Sequence, residues 1–202
     1  MKGLRKYLTP FAPDQSGAAS VLYELGGILV ICDAGGCTGN ICGFDEPRWH
    51  EKKSALLSAG LRDMDAILGR DDRLVEKLAK VCGQLEASFT AVIGTPVPAV
   101  IATDFLALKR MCERKTGLPC ITLETTGAKY YDAGEETAYL QLFREFAKEA
   151  LPVQHGKRGV IGATPLETGL THSNPIISAM QREGAGSVVC FGLDSGLEAI
   201  QH

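Results

Sequence analysis

No apolar run in this chain approaches the roughly 20 residues a helix needs to cross a bilayer; the longest are strand-sized. The basic residues Lys2, Arg5 and Lys6 are not followed by an apolar signal core. Membrane insertion and secretion therefore have no support, and the expected compartment is the cytoplasm. A basic excess is missing too. The 202 residues carry 21 Lys and Arg against 24 Asp and Glu, a net charge of −3, which gives no electrostatic case for nucleic acid. Two phosphate-binding signatures are absent. Without G-x-x-x-x-G-K-[S/T] there is no P-loop, and without G-x-G-x-x-G after the first apolar run a dinucleotide reading is weakened. The close C-x2-C pairs of a zinc ribbon are also lacking. Seven cysteines, an odd number with no secretory signal, argue against a disulfide framework. No internal repeat and no low-complexity tract is present.

What is there is a soluble composition, 45% hydrophobic and 22% charged, in a length that suits one large or two small domains. Pro10 and Pro13 make residues 1–13 an irregular arm. A helix capped by Asp14 or Ser16 follows, with Val21, Leu22 and Leu25 on one face and Gly26-Gly27 at its end. Apolar strands are expected at 28–32, 54–58, 89–94, 119–123, 159–162 and 186–191. Between them, helical periodicity marks 71–86 through Leu74, Val75, Leu78, Val81, Cys82 and Leu85. It also marks 103–115 through Phe105, Leu108, Met111 and Cys112, 134–151 before Pro152, and about 174–183. Residues 63–69 read as a short strand or a turn. A last helix begins near Asp194-Ser195 and is cut short by the end of the chain, so the sequence reads as a fragment of a longer subunit. The alternation predicts a three-layer α/β/α Rossmann-like domain over 14–202, with a mainly parallel sheet of four to six strands.

The most informative stretch is Cys32-Asp33-Ala34-Gly35-Gly36-Cys37-Thr38-Gly39-Asn40-Ile41-Cys42, directly after the first strand. A loop at the carboxyl end of a strand in an open α/β sheet is where ligands bind. Here it offers three soft sulfur donors, Cys32, Cys37 and Cys42, among glycines that let a backbone approach a ligand closely. Cys32 can equally end the strand as a core residue. Cys82, Cys112, Cys120 and Cys190 lie on strands or buried helix stripes and read as core. Arg48 and Trp49 just beyond the loop read either as an anion-binding and a pocket-lining residue or as a solvated arginine beside a packing anchor. His172 is a candidate proton donor or plain polar surface, and Tyr130 and Tyr131 are equally open.

Three places carry a resemblance to the component 1 family of nitrogenase and its relatives, which include the dark-operative protochlorophyllide reductases. Cys32-Asp33-Ala34-Gly35-Gly36-Cys37 resembles the family's His-Gly-Pro-x-Gly-Cys loop, with Cys37 at the cluster-ligating cysteine. Residues 91–104 resemble the family's strand, loop and helix, and Gly117-Leu118-Pro119-Cys120-Ile121 with Thr125-Thr126-Gly127 resembles its Gly-x-Pro-Val … Thr-x-Gly segment. The match runs from about residue 14 to 199 and covers the first Rossmann-like domain of subunits that have two or three. Pro96 stands where nitrogenase has a cluster cysteine, the arm near Pro10 has none, and Cys32 replaces the usual His.

The resemblance implies an iron–sulfur cluster at a subunit interface. Cys37 and Cys42, or these with Cys32, serve as metal ligands, and the backbone N–H groups of Gly35, Gly36 and Gly39 hydrogen-bond its sulfides. Cys37 and Cys42 from each of two chains make the four thiolates one four-iron cluster takes. The implied activity is the catalytic component of a two-component, ATP-dependent reductase. Its partners are a second copy or a paralogous component 1 subunit, and a nitrogenase-reductase-like iron–sulfur ATPase. The alternatives are a scaffold or carrier for cluster assembly, and a Rossmann-like ligand-binding domain whose cysteines merely pack.

Overall fold

The computed structural model describes residues 12–52, 54–147 and 155–201. The arm expected over 1–13 lies almost wholly outside these residues, as do Pro152 and the end of the helix expected to reach 151. Helix α1 (Asp14–Leu22) leads into strand β1 (Gly27–Ile31), after which the cysteine segment coils as helix α2 (Gly36–Asn40), a π-helical turn (Ile41–Asp45) and a 3-10 turn (Pro47–His50). Strand β2 (Ala55–Ser58), helix α3 (Asp63–Leu68) and helix α4 (Asp71–Cys82) follow. Next come β3 (Phe89–Ile93), the short α5 (Pro96–Val100), α6 (Phe105–Thr116), β4 (Cys120–Leu123) and α7 (Tyr131–Phe146). The rest is β5 (Lys157–Val160), α8 (Pro165–Thr168), α9 (Asn174–Arg182), β6 (Ser187–Cys190) and α10 (Glu198–Gln201). Among the described residues every ladder between strands is parallel, and a single isolated antiparallel bridge joins Pro13 to Tyr130. Four strands form one sheet in the order β2-β1-β3-β4, and β5 pairs with β6 apart from it.

Side chains on a strand alternate between faces, and the sheet uses both. Leu29 and Ile31 of β1, Phe89, Ala91 and Ile93 of β3, and Ile121 and Leu123 of β4 pack with α1 and α7. The intervening Ile28, Val30, Val92 and Cys120 pack with α4 and α6 through Leu74, Val75, Leu78, Phe105 and Leu108. The expected three-layer α/β/α arrangement is therefore realised on the four-stranded sheet. Cys112, Cys120 and Cys190 are buried as expected, whereas Cys82, at the end of α4, is half-buried.

Strand β5 lies two residues before the expected 159–162, and the last helix starts at Glu198 rather than near Asp194. Two further segments depart from the sequence reading in kind. Residues 63–69, expected as strand or turn, are helical in α3. The Arg62 N–H donates to the Asp65 carboxylate at 3.0 Å, and Gly69 closes the helix at φ 62. Its Met64, Ile67 and Leu68 are all exposed, so no buried stripe advertises it. The cysteine stretch, expected as a loop, is helical from Gly36 despite glycine's poor helix propensity, because buried carboxylates anchor it.

All nine residues of α1 are buried, sandwiched between the sheet and α7. Contact at that range requires glycine on both sides. A methyl group on Gly17 would overlap the Tyr131 carbonyl, and one on Gly134 would overlap the Asp14 carbonyl. The Asp14 carboxylate in turn accepts from the Thr126 and Gly127 N–H groups at 2.9 and 2.7 Å, which fixes the turn after β4. Gly134→Ala should therefore destabilise the fold by about 3 kcal/mol through overpacking against backbone that cannot yield. The check is a shift of the urea midpoint with the slope unchanged.

Candidate functional site

Strand β1 delivers Cys32 and Asp33 to the carboxyl edge of the sheet. Gly35, at φ 120, then turns the chain into α2. Asp33 is fully buried and acts as a bracket. One carboxylate oxygen accepts the Thr38 N–H at 2.8 Å and the other accepts the Ser58 hydroxyl at 2.6 Å, tying α2 to the end of β2. Thr95, just past β3, donates its hydroxyl to the Cys32 carbonyl at 2.8 Å. Cys37 and Cys42 are half-buried, packed on the α1–α7 side of the core. Cys32 is buried on the opposite side, among Ile28, Val30, Leu74 and Phe105. The structure thus brings Cys37 and Cys42 to one layer and leaves Cys32 in the other. Residue parity explains it, since Cys32 continues the even set of Ile28 and Val30.

Burial pushes the Cys37 and Cys42 thiols up, and the Asp33 charge adds to the effect. Burial raises Cys32 to about 12. Among the candidate glycines, Gly39 donates its N–H to the Gly35 carbonyl at 3.0 Å, so that amide is already committed to the helix. Gly35 and Gly36 sit at the start of α2, where N–H groups lack intrahelical acceptors. A Cβ on Gly35, Gly36, Gly39 or Gly43 would meet nothing within 4 Å, so open space adjoins the thiol segment. The Thr38 Oγ1 atom and the Gln15 Oε1 atom are buried without a hydrogen-bond partner, the second lying beside Pro96 and Gly127. Phe44 and Val100, 79% and 84% exposed, stand on the segments after β1 and β3, and Tyr130 is exposed on the one after β4. All three segments leave the carboxyl edge.

Arg48 corrects the sequence reading. It is neither a solvated neighbour nor an anion receptor, because its guanidinium is fully buried and fully engaged. It donates to both carboxylate oxygens of Glu46 at 2.7 Å, to Glu24 at 2.9 Å, to the Gly192 carbonyl at 2.8 Å and to the Ser20 carbonyl at 2.7 Å. It also lies 5.0 Å from the Tyr23 ring centre. Burial works against the charge, but Glu46 and Glu24 outweigh it and hold Arg48 protonated. Ser16 and Ser20 of α1 extend the seam, donating to Asp45 at 2.7 Å and Glu46 at 2.9 Å. Trp49 is about one-third exposed rather than a buried anchor. His172 is exposed, 3.5 Å from Asp194. Burial of Asp194 is overcome by hydrogen bonds from Lys52 and Ser173, which lower it to about 2.

Tyr131 and Glu135 on α7 form a second buried polar group. The Tyr131 hydroxyl donates to Thr164 Oγ1 at 3.0 Å, and Thr164 donates to Glu135 at 2.6 Å. Burial raises Glu135 from 4.5 to about 7, with Glu167 and Asp132 adding to the shift. Neither Glu135 nor Asp33 announces itself in the sequence. The one signal for Asp33 is its position two residues past a strand.

Two outcomes follow from these carboxylates. Arg48→Met should cost about 3–5 kcal/mol, because it strands the buried Glu46 carboxylate; equilibrium denaturation measures it. Glu135 stays protonated in the folded protein between about pH 4.5 and 7, where the unfolded chain has released its proton. The folded state then binds more protons, so stability falls as pH rises through that window and levels off above it. Glu135→Gln should flatten the slope by on the order of 2 kcal/mol between pH 5 and 7.5, as read by denaturation at each pH.

No family model matches the chain, and no curated protein matches it in sequence. Solved structures do. One described as nitrogenase Cp1 at pH 5 superposes over 100% of this chain with a TM-score of 0.75 at 15% identity, using 43% of its own length. Another, nitrogenase Cp1 at pH 6.5, gives 0.74 and 15%, with 41% of its length covered. The chain has a nitrogenase-like fold and spans less than half the length of those chains.

Proposed function

We propose that this chain is the cluster-binding, catalytic component of a two-component, ATP-dependent reductase of the cytoplasm. In this reading Cys37 and Cys42 hold an iron–sulfur cluster shared with a second subunit. The observation that carries it is the placement of two half-buried thiols on a glycine-rich turn at the carboxyl edge of a nitrogenase-like sheet.

The donor set fits a shared cluster better than a site within one chain. Among the described residues, no group of three or more His, Cys, Asp or Glu is placed to hold a metal ion. Two chains related by a two-fold axis each supply Cys37 and Cys42, making the four thiolates such a cluster takes. A second copy or a paralogous subunit fits equally. Open space beside the four glycines and the unpartnered Thr38 hydroxyl support the reading. So does the exposed apolar rim of Phe44 and Val100, since large apolar side chains gathered at one edge mark interaction surfaces.

When bound, the cluster would store electrons received singly from a separate iron–sulfur ATPase, this chain having no P-loop. The protein's own part is to hold two thiols that are protonated until metal displaces the protons. Asp33 and Thr95 fix the turn that presents them. Gly35 and Gly36 offer the amides for cluster sulfur, and Cys32 packs the strand end.

Anaerobic reconstitution tests this. Cys37→Ala and Cys42→Ala should each lose the iron and the visible absorbance, whereas Cys190→Ala should keep both and cost about 1 kcal/mol of stability. Wild-type iron and spectrum in Cys37→Ala would sink the assignment. With the cluster in place, turnover of electrons from the ATPase marks a reductase, and transfer of the cluster to an acceptor protein marks an assembly scaffold.

A further inference from the structure

Among the described residues, α4 and α6 cover one face of the four-stranded sheet, and the outermost strand on the α4 side is β2. Leu57 of β2 stands opposite Val30 in the strand register and faces the same layer, yet it is only half-buried. Across from it, α4 turns Leu74, Leu78 and Val81 toward the sheet. Between strand and helix these side chains leave a half-enclosed, apolar groove of about 250 Å³. One cation breaks its lining. Lys77 lies on the same flank of α4, and its exposed ammonium donates to the Ala59 carbonyl, just past β2, at 2.9 Å. That uses one of three N–H donors. Among the described residues Lys77 makes no ion pair, and the Asp65 carboxylate on this flank is held by Arg73 at 2.8 Å and by the Arg62 N–H at 3.0 Å. The Ser58 hydroxyl is likewise committed, donating to Asp33 at 2.6 Å and accepting the Gly60 N–H at 3.0 Å.

We propose that this groove binds a short-chain aliphatic carboxylate, its tail along Leu57, Leu78 and Val81 and its carboxylate on the Lys77 ammonium. An apolar trough with one unpaired cation at its lip matches a ligand built of the same two parts. A sugar or a nucleotide would bury polar atoms that these walls cannot pair. A neutral tail would leave the ammonium without its counter-charge. Volume sets the length. At ~30 Å³ for each water-sized group, the groove holds about eight non-hydrogen atoms, the size of hexanoate. The site is distinct from the thiol segment. It lies on the face of the sheet opposite Cys37 and Cys42, and it adjoins the support of α2 through the bond from Ser58 to Asp33.

The test is a titration of the whole isotope-labelled chain with sodium hexanoate, followed by its methyl and amide NMR signals. Saturable shifts should gather at Val30, Leu57, Leu74, Leu78 and Val81. Binding should tighten about fourfold for each methylene between butanoate and hexanoate and gain nothing further by decanoate. Hexanol, the same tail without the charge, should bind about tenfold more weakly. Lys77→Met keeps the stem and drops the charge, so it should bring hexanoate to the level of hexanol and leave hexanol unchanged. A Cys37→Ala, Cys42→Ala double variant should bind hexanoate as the wild type does, which separates this site from the cluster reading. The wild-type titration alone decides the matter, so misfolding of a variant would not rescue a negative result. Shifts confined to other surfaces, a response that never saturates, or equal affinity for hexanoate and hexanol would overturn the proposal.

Discussion

The buried guanidinium of Arg48 is the constraint on which the site's architecture depends. A fully desolvated cation is tolerated only when every donor finds an acceptor and a carboxylate sits beside it. Its acceptors come from three separate parts of the chain. Glu46 belongs to the cysteine segment, Ser20 and Glu24 to α1 and its exit, and Gly192 to the turn after β6. Moving any one of these would leave a charge or a carbonyl unpaired in the interior. The arginine therefore sets the position of the cysteine segment against α1 and against the β5–β6 unit.

The same device recurs along the carboxyl edge. Asp14 holds the turn after β4, Asp33 holds α2 to β2, and Asp45 joins α1 to the π-helical turn. The sheet beneath is almost wholly apolar. The site consequently rests on a rigid base and is shaped by directional bonds, the division of labour expected where loops carry function. Exposed apolar side chains then lie outside this polar seam, on the segments that face away from the sheet.

What was legible in the sequence is what periodicity encodes. Five of the six strands were readable because each is a short apolar run between turn residues, and α4 and α6 because their apolar positions repeat at helical spacing; β5 opens on the exposed Lys157 and Arg158 and meets the expected 159–162 only at Gly159 and Val160. Helix α3 was not readable, since its apolar residues face solvent and leave no stripe. Helix α2 was hidden by glycines whose weak propensity is overridden by the Asp33 bracket, a contact between residues that no local pattern links. Arg48 shows the same limit more sharply. Whether an arginine is solvated or buried depends on acceptors 24 and 144 positions away. Parity along β1 did contain the information that Cys32 faces away from Cys37 and Cys42. The thiol segment itself stood out by composition alone.

Helix α1 is enclosed on every side, yet its chief neighbour, α7, begins more than a hundred residues later. Alone, the segment is only nine residues long, too short a helix to persist in water. A persistent α1 therefore requires α7 to be present, so this layer closes only through contacts between segments far apart in the chain, and truncating the chain before α7 would leave α1 without the surface that holds it helical.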